Sequence, residues 1–225
     1  MMNDFSPIDA ELGNRFTLHL FAINTDVTSA QAKTLWLDIA ARYNETQRAY
    51  HSLRHIQQLF VQFDKINHKL SEPHLIALAL YYHDVIYNPT RSDNELKSAA
   101  YAIDQLKCYL NEEQCQTIHA LIMMTASHQL AELADNDKSS DAAYLLDMDL
   151  SILGASWSEY EQYAHAVRQE YAHIPAMDYR AGRITVLERL LAHAQLYLTK
   201  YYYERLEMQA RENIAREIRF LRASE

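Results

Sequence analysis

Apolar side chains recur along this chain with the period of an α-helix. Ile56, Leu59, Phe60, Phe63 and Ile66 fall at the i, i+3, i+4, i+7 positions of one helix face. Leu96, Ala99, Ala100, Ile103 and Leu106 repeat the spacing, and so do Tyr160, Tyr163, Ala164, Val167 and Tyr171. Boundary signals agree. Ser29 precedes a helix through Trp36 and Tyr43, and Ser71 with Pro73 opens one over Leu75–Tyr82. Asn111 precedes Glu112 and Glu113, which suit a helix N-terminus. Gly154 stands where a C′ glycine would close a helix through Leu145–Leu153. Pro175 separates the tyrosine-rich helices from a C-terminal pair. The pattern predicts about nine helices and no strand, with loops at 24–29, 87–92, 134–140 and 174–178.

No segment has the length or bias of a linker, and no internal repeat is present. The expected fold class is therefore all-α, with one domain over residues 1–225. Its core would span about residues 36–200. A helical extension from about residue 201 to 225 would carry Tyr201, Tyr202 and Tyr203, either as an appendage or as a homodimer contact.

Composition narrows the choices. The 225 residues include three Gly, where average usage gives about 15, and four Pro. A β-sandwich or barrel needs far more turn residues. Gly13, Gly154 and Gly182 are too scattered for a phosphate-cradling loop. The formal net charge of -9 argues against a nucleic-acid polymer as partner. The longest apolar run, Leu75–Tyr82, is too short to span a bilayer, so no membrane partner is expected. Met1–Ile8 lacks a basic region followed by an apolar stretch. Cys108 and Cys115 make no disulfide framework and read as small core hydrophobes of a cytoplasmic protein.

The chemistry-bearing residues gain meaning from context. With eleven histidines, one His-Asp dipeptide and one His-x-x-x-His pair are what chance provides. Taken singly, His51, Asp84, Asp147 and Asp149 read as solvated surface groups. His51 and His55, however, lie one turn apart on a helix face that Arg48 shares. His83–Asp84 ends the most apolar helix, and Asp147 and Asp149 interrupt the apolar run Ala142–Leu153. Buried Asp and His need a counter-charge, and a divalent cation would supply it.

The order His-x-x-x-His, His-Asp, Asp-x-Asp on helical sequence resembles the HD superfamily of metal-dependent phosphohydrolases. Tyr50-His51-Ser52-Leu53-Arg54-His55 also resembles the Tyr-His-Asn-x-x-His signature of cyclic-nucleotide phosphodiesterases. Arg48–His55, Tyr82–Tyr87, Asn94–Ala99 and Leu146–Gly154 are similar to the motifs of an uncharacterised bacterial HD group. Arg168–Tyr171 and Tyr179–Leu187 add to the likeness, which covers about residues 36–220.

The resemblance implies a metal site of His55, His83, Asp84 and Asp149 for a divalent ion (Mn, Mg, Fe, Co, Ni or Zn). An Arg-x-x-His alignment would make His51 the ligand instead. Asp147 is the alternative to Asp149, since residues two apart on a helix point about 200° apart. The resemblance also gives Asp84 a role in orienting water and His51 that of general acid. Glu95 is either an outer base or a first-turn helix carboxylate. His128, grouped with the substrate-binding residues, either binds a second metal or is a capping or surface histidine. Arg48 and Lys97 either read phosphate or form salt bridges.

His83-Asp84 is followed by Val85, Ile86, Tyr87 and Asn88, which argues against alarmone hydrolysis. No Gly-Tyr-Pro extension of the cyclic-dinucleotide type is present. Ser52 excludes a zincin motif. Two functions are consistent with these residues. One is hydrolysis of a small phosphate ester, a nucleotide above all. The other is a non-catalytic metal- or nucleotide-binding regulator on the same scaffold.

Overall fold

The computed structural model of the protein describes residues 7–130 and 136–223, without the side chains of 136–138. Most of the Met1–Ile8 segment therefore lies outside the described residues. Those residues are all-α, as the apolar periodicity requires. They form ten α-helices: α1 (Pro7–Ile23), α2 (Ser29–Tyr43), α3 (Leu53–Ile66), α4 (Pro73–Tyr82), α5 (Asn94–Leu106), α6 (Glu112–Thr125), α7 (Asn136–Asp149), α8 (Trp157–Glu170), α9 (Ala176–Ala192) and α10 (Lys200–Ala223). Short 3-10 turns follow α3 and α7. No described helix is long and apolar enough to cross a membrane. The chain divides into two compact units, Met1–Leu145 and Leu146–Glu225.

In the first unit α4 is the central element, packed against α1, α3, α5 and α6. All eight residues Leu75–Tyr82 are buried, so this helix is apolar on every face. Pro73 occupies its first turn. The Asp141 carboxylate accepts from the backbone N–H groups of Ser71 and Glu72 at 3.0 and 2.8 Å, capping α4 from α7. Helix α3 buries Ile56, Leu59, Phe60, Phe63 and Ile66, the face its spacing predicts, and adds Leu53 and His55.

Helix α5 departs from its predicted face. Leu96 is 51% exposed and Ala100 is exposed, while Asn94, Ser98, Ala99, Ala102 and Leu106 are buried. The inward face is partly polar because it grips the loop that follows His83-Asp84. Ser98 Oγ accepts from Ile86 N and donates to Ile86 O, and Asn94 makes the equivalent pair of bonds with Asn88. Buried loop backbone must be satisfied somewhere, and here two short polar side chains do it.

In the second unit α10 packs against α9 and the turn Leu150–Gly154. The stretch read as an extension thus contributes Tyr202, Ala210, Ile214 and Ile218 to a core; residues 224–225 lie outside the described ones. Gly154 has no positive φ, so it is not a left-handed cap. A Cβ there would meet Leu206 Cβ at 2.6 Å and Leu206 O at 2.9 Å, so close approach explains the glycine.

Other boundaries shift slightly. Thr28, not Ser29, caps α2, in a capping box with Gln31. Residues 136–140 of the expected 134–140 loop open α7, and 134–135 lie outside the described residues. Asn111 caps α6 with Gln114 as expected. Cys115 is buried but Cys108 is exposed, so only the former is a core residue.

Candidate metal centre

Helix α3 begins at Leu53, which turns His55 inward one residue pair into the helix. Helix α4 ends at Tyr82, and His83 follows as its C-cap. The two ends converge. His55 and His83 are each 2% exposed, and the Asp84 side chain is 14% exposed. His55 Nε2 stands 3.3 Å from His83 Nε2, which stands 3.1 Å from Asp84 Oδ2. One ligand atom from each of the three lies within 4.8 Å of the others.

The tautomer of His83 sharpens this picture. Its Nδ1 is 2.9 Å from Leu80 O, an acceptor that only an N–H can satisfy. In the neutral ring Nε2 is then a bare lone pair, directed at a carboxylate oxygen and a second imidazole. Lone pairs at such separations repel unless a proton or a cation lies among them. Donors each about 2.1 Å from one ion lie within about 4.2 Å of each other, and the separations of 3.3 and 3.1 Å satisfy that bound. The Leu80 contact is of the kind that fixes a histidine able to ligate a metal. Two imidazoles and a carboxylate, with a solvent edge at Asp84, therefore fit a divalent cation with open positions.

His51 lies beside the cluster and outside it. Its ring stacks on Tyr87 at 4.2 Å and 29°, and its Nε2 is 3.9 Å from Asp84 Oδ2. Of the two candidate histidines of the first motif, the structure brings His55 together with His83 and Asp84.

Arg48 takes a role different from phosphate reading. Its side chain has no exposed surface. Nη1 donates to Asp84 O (2.7 Å) and His51 O (3.2 Å), Nη2 to Val85 O (2.9 Å) and Nε to Glu45 (3.2 Å). Tyr43 and Tyr87 flank the guanidinium at 4.9 and 5.5 Å. Through these bonds Arg48 ties the His51 turn to the His83-Asp84 loop from inside.

Glu95 is half-buried in the first turn of α5 and makes no hydrogen bond or ion pair with the described residues. Lys97, 45% exposed, stands 4.0 Å from Asp93. His128 follows α6 with φ 51, a left-handed conformation.

Asp149 is the last residue of α7 and belongs to the second unit. Asp147, in the same unit, accepts from Leu198 N (2.7 Å), Thr199 N (2.8 Å) and Thr199 Oγ1 (2.6 Å), at the start of α10. Burial pushes its carboxyl up to about 6, against the pull of those hydrogen bonds. Asp147 is therefore a helix-terminus cap.

The comparisons with known proteins bear on the fold. No family model matches the chain, and no curated protein does. Solved structures do match. One is the phosphodiesterase domain of the RhoPDE fusion protein from the choanoflagellate Salpingoeca rosetta. It has a TM-score of 0.60 and 14% identity, over 98% of this chain and 92% of that one. Another, the phosphodiesterase domain of Salpingoeca rosetta rhodopsin phosphodiesterase, has a TM-score of 0.59 and 14% identity, over 98% and 88%. At this identity the likeness establishes a shared helical fold.

Sequence reasoning did not assign a role to Tyr87, Asn94 or Ser98, although all three stood in the motifs singled out. Their work is to hold His51 and the loop after Asp84, and only contacts across the fold reveal it.

Proposed function

We propose that the chain is a metal-dependent phosphohydrolase of the HD type, close to the bacterial group its motifs resemble, acting on a small phosphate ester, a nucleotide above all. The observation that carries this reading is the convergence of His55 Nε2, His83 Nε2 and Asp84 Oδ2 at 3.3 and 3.1 Å. The likeness to domains named as phosphodiesterases supports a phosphate ester as substrate. His55, His83 and Asp84 would hold the ion; Asp149 joins them on its motif alone. A bound divalent cation supplies Lewis acidity and lowers the pKa of water toward neutrality.

The chain's own groups do the rest. Asp84, at the solvent edge, accepts a hydrogen bond from the attacking water and orients it. His51, braced by Tyr87, carries on Nε2 a proton that it delivers to the leaving oxygen. Glu95 is the outer base, and Lys97, 45% exposed and 4.0 Å from Asp93, attracts phosphate. Arg48 keeps the two loops in register.

The test is turnover of mono- and diester nucleotides and simple phosphate esters with Mn²⁺, Mg²⁺, Fe²⁺, Co²⁺, Ni²⁺ or Zn²⁺, for wild type and Asp84→Asn. Metal-dependent release of product by wild type, lost in the variant, is expected. Bound metal with no turnover of any ester would make the chain a non-catalytic binding protein instead.

A further inference from the structure

A second pair of histidines lies in the first unit, apart from the centre just described. His19 on α1 and His74 in the first turn of α4 are 55 positions apart in sequence, and neither belongs to a motif. Their Nδ1 atoms are 3.0 Å apart. Both rings are half-buried, so solvent reaches them. His19 stacks on Phe60 (5.9 Å, 26°) and meets Phe63 edge-on (5.5 Å, 88°), which restricts its rotation.

We propose that His19 and His74 form a second cation site, bridging α1 and α4, for a late first-row divalent ion such as Zn²⁺, Ni²⁺ or Cu²⁺. Two imidazole nitrogens at 3.0 Å lie within the separation that one such ion imposes on neighbouring ligands. Imidazole selects these ions, whereas Mg²⁺ and Ca²⁺ require oxygen ligands. The ring nitrogens must be unprotonated to bind, and burial favours that state in His19. Burial, then His74 and Arg15, push His19 down to about 4, with Asp64 opposing. At neutral pH the pair shares one Nδ1 proton in a hydrogen bond. Metal uptake moves that proton to Nε2 of the same ring through solvent, leaving both Nδ1 lone pairs on the ion, with no net proton release. Water fills the remaining positions. Asp64, the neighbouring carboxylate, is bonded to Arg15 at 2.6 and 2.9 Å, so the pair adds no net charge beside the site.

The experiment uses the full chain stripped with chelator. Calorimetric titration with Zn²⁺ should show two classes of site in wild type. His74→Ala and His19→Gln should each remove one class and keep the other. The loss in affinity should exceed the roughly 10–100-fold that removing a supporting partner costs. Cu²⁺ electron paramagnetic resonance of a His55→Ala/His83→Ala variant should show coupling to two imidazole nitrogens at the remaining site. If either histidine variant fails to fold, ¹⁵N spectra of histidine-labelled wild type decide, because both Nδ1 resonances must move on Zn²⁺ addition. A single class of site that survives both substitutions, or Nδ1 resonances that stay in place, overturns the proposal.

Discussion

Arg48→Met removes the guanidinium and keeps most of the stem. Three carbonyl oxygens lose donors: Asp84 O, Val85 O and His51 O. His51 and Asp84 are half-buried, so their carbonyls can turn to water. Val85 is fully buried, and its oxygen has no such recourse while the loop stays closed. An unsatisfied buried polar group costs about 1–3 kcal/mol. Losing the contacts with Tyr43 and Tyr87 adds about 1 kcal/mol. Relief from burying a cation offsets part of this. The net is about 2–3 kcal/mol, or a melting temperature lower by roughly 4–12 °C for a chain of this size.

Arg15→Met is the control. Its bond to Asp64 is of similar length, but the side chains are 25% and 51% exposed, so less than about 1 kcal/mol is at stake. Thermal and urea unfolding in chelator measure both variants. Metal titration adds a second readout, since a loosened Asp84 should weaken affinity by about 10–100-fold. If Arg48→Met melts within about 2 °C of wild type and binds metal as tightly, the inward clamp is not what holds the site.

Four further outcomes follow from the same geometry. His51→Ala should keep metal and lose about 10²–10⁴-fold in rate, whereas His55→Ala should lose both; reversed phenotypes, read by elemental analysis and turnover, would make His51 the ligand. Asp149→Asn should empty the site with little loss of fold, while Asp147→Asn should keep metal and cost about 1–3 kcal/mol by turning an amide N–H toward the donors of Leu198 and Thr199; metal stoichiometry and melting temperature separate the two. Gly154→Ala should cost about 1–3 kcal/mol through overpacking against Leu206 and leave metal content unchanged; an unaltered melting temperature would refute the close contact.

The fourth outcome is pH dependence. His19 stays neutral when folded down to about 4, while the unfolded ring protonates near 6.5. Between those values the unfolded chain binds more protons, so stability attributable to His19 is full above pH 6.5 and falls as pH drops toward 4. The total is on the order of 2–3 kcal/mol. Urea titrations of wild type and His19→Gln should diverge in that window, and parallel curves would rule the effect out.

Much of this protein is legible in one dimension because helix periodicity and local capping are short-range. The buried face of α3, the Pro73 start of α4 and the Asn111 cap of α6 all follow from residues within a turn or two of each other. The adjacency of His83 and Asp84, and the inward register of His55 beside Ile56 and Leu59, come from the same local rules. The rest was decided by contacts between distant segments. Nothing near Arg48 in sequence announces that its donors are consumed by carbonyls 36 and 37 residues away. The periodicity of α5 mislaid its inner face because Asn94 and Ser98 are buried for the loop backbone they satisfy, a demand that hydropathy does not register. Asp147 is a cap because α10 begins where the backbone before it can donate to that carboxylate, and the pairing spans about fifty residues. The His19–His74 contact likewise exists only because α1 and α4 pack together. Local sequence sets which face of a helix is apolar; only the packed chain sets which polar group meets which partner, because hydrogen bonds and ligation depend on separations of about 3 Å that no sequence spacing fixes.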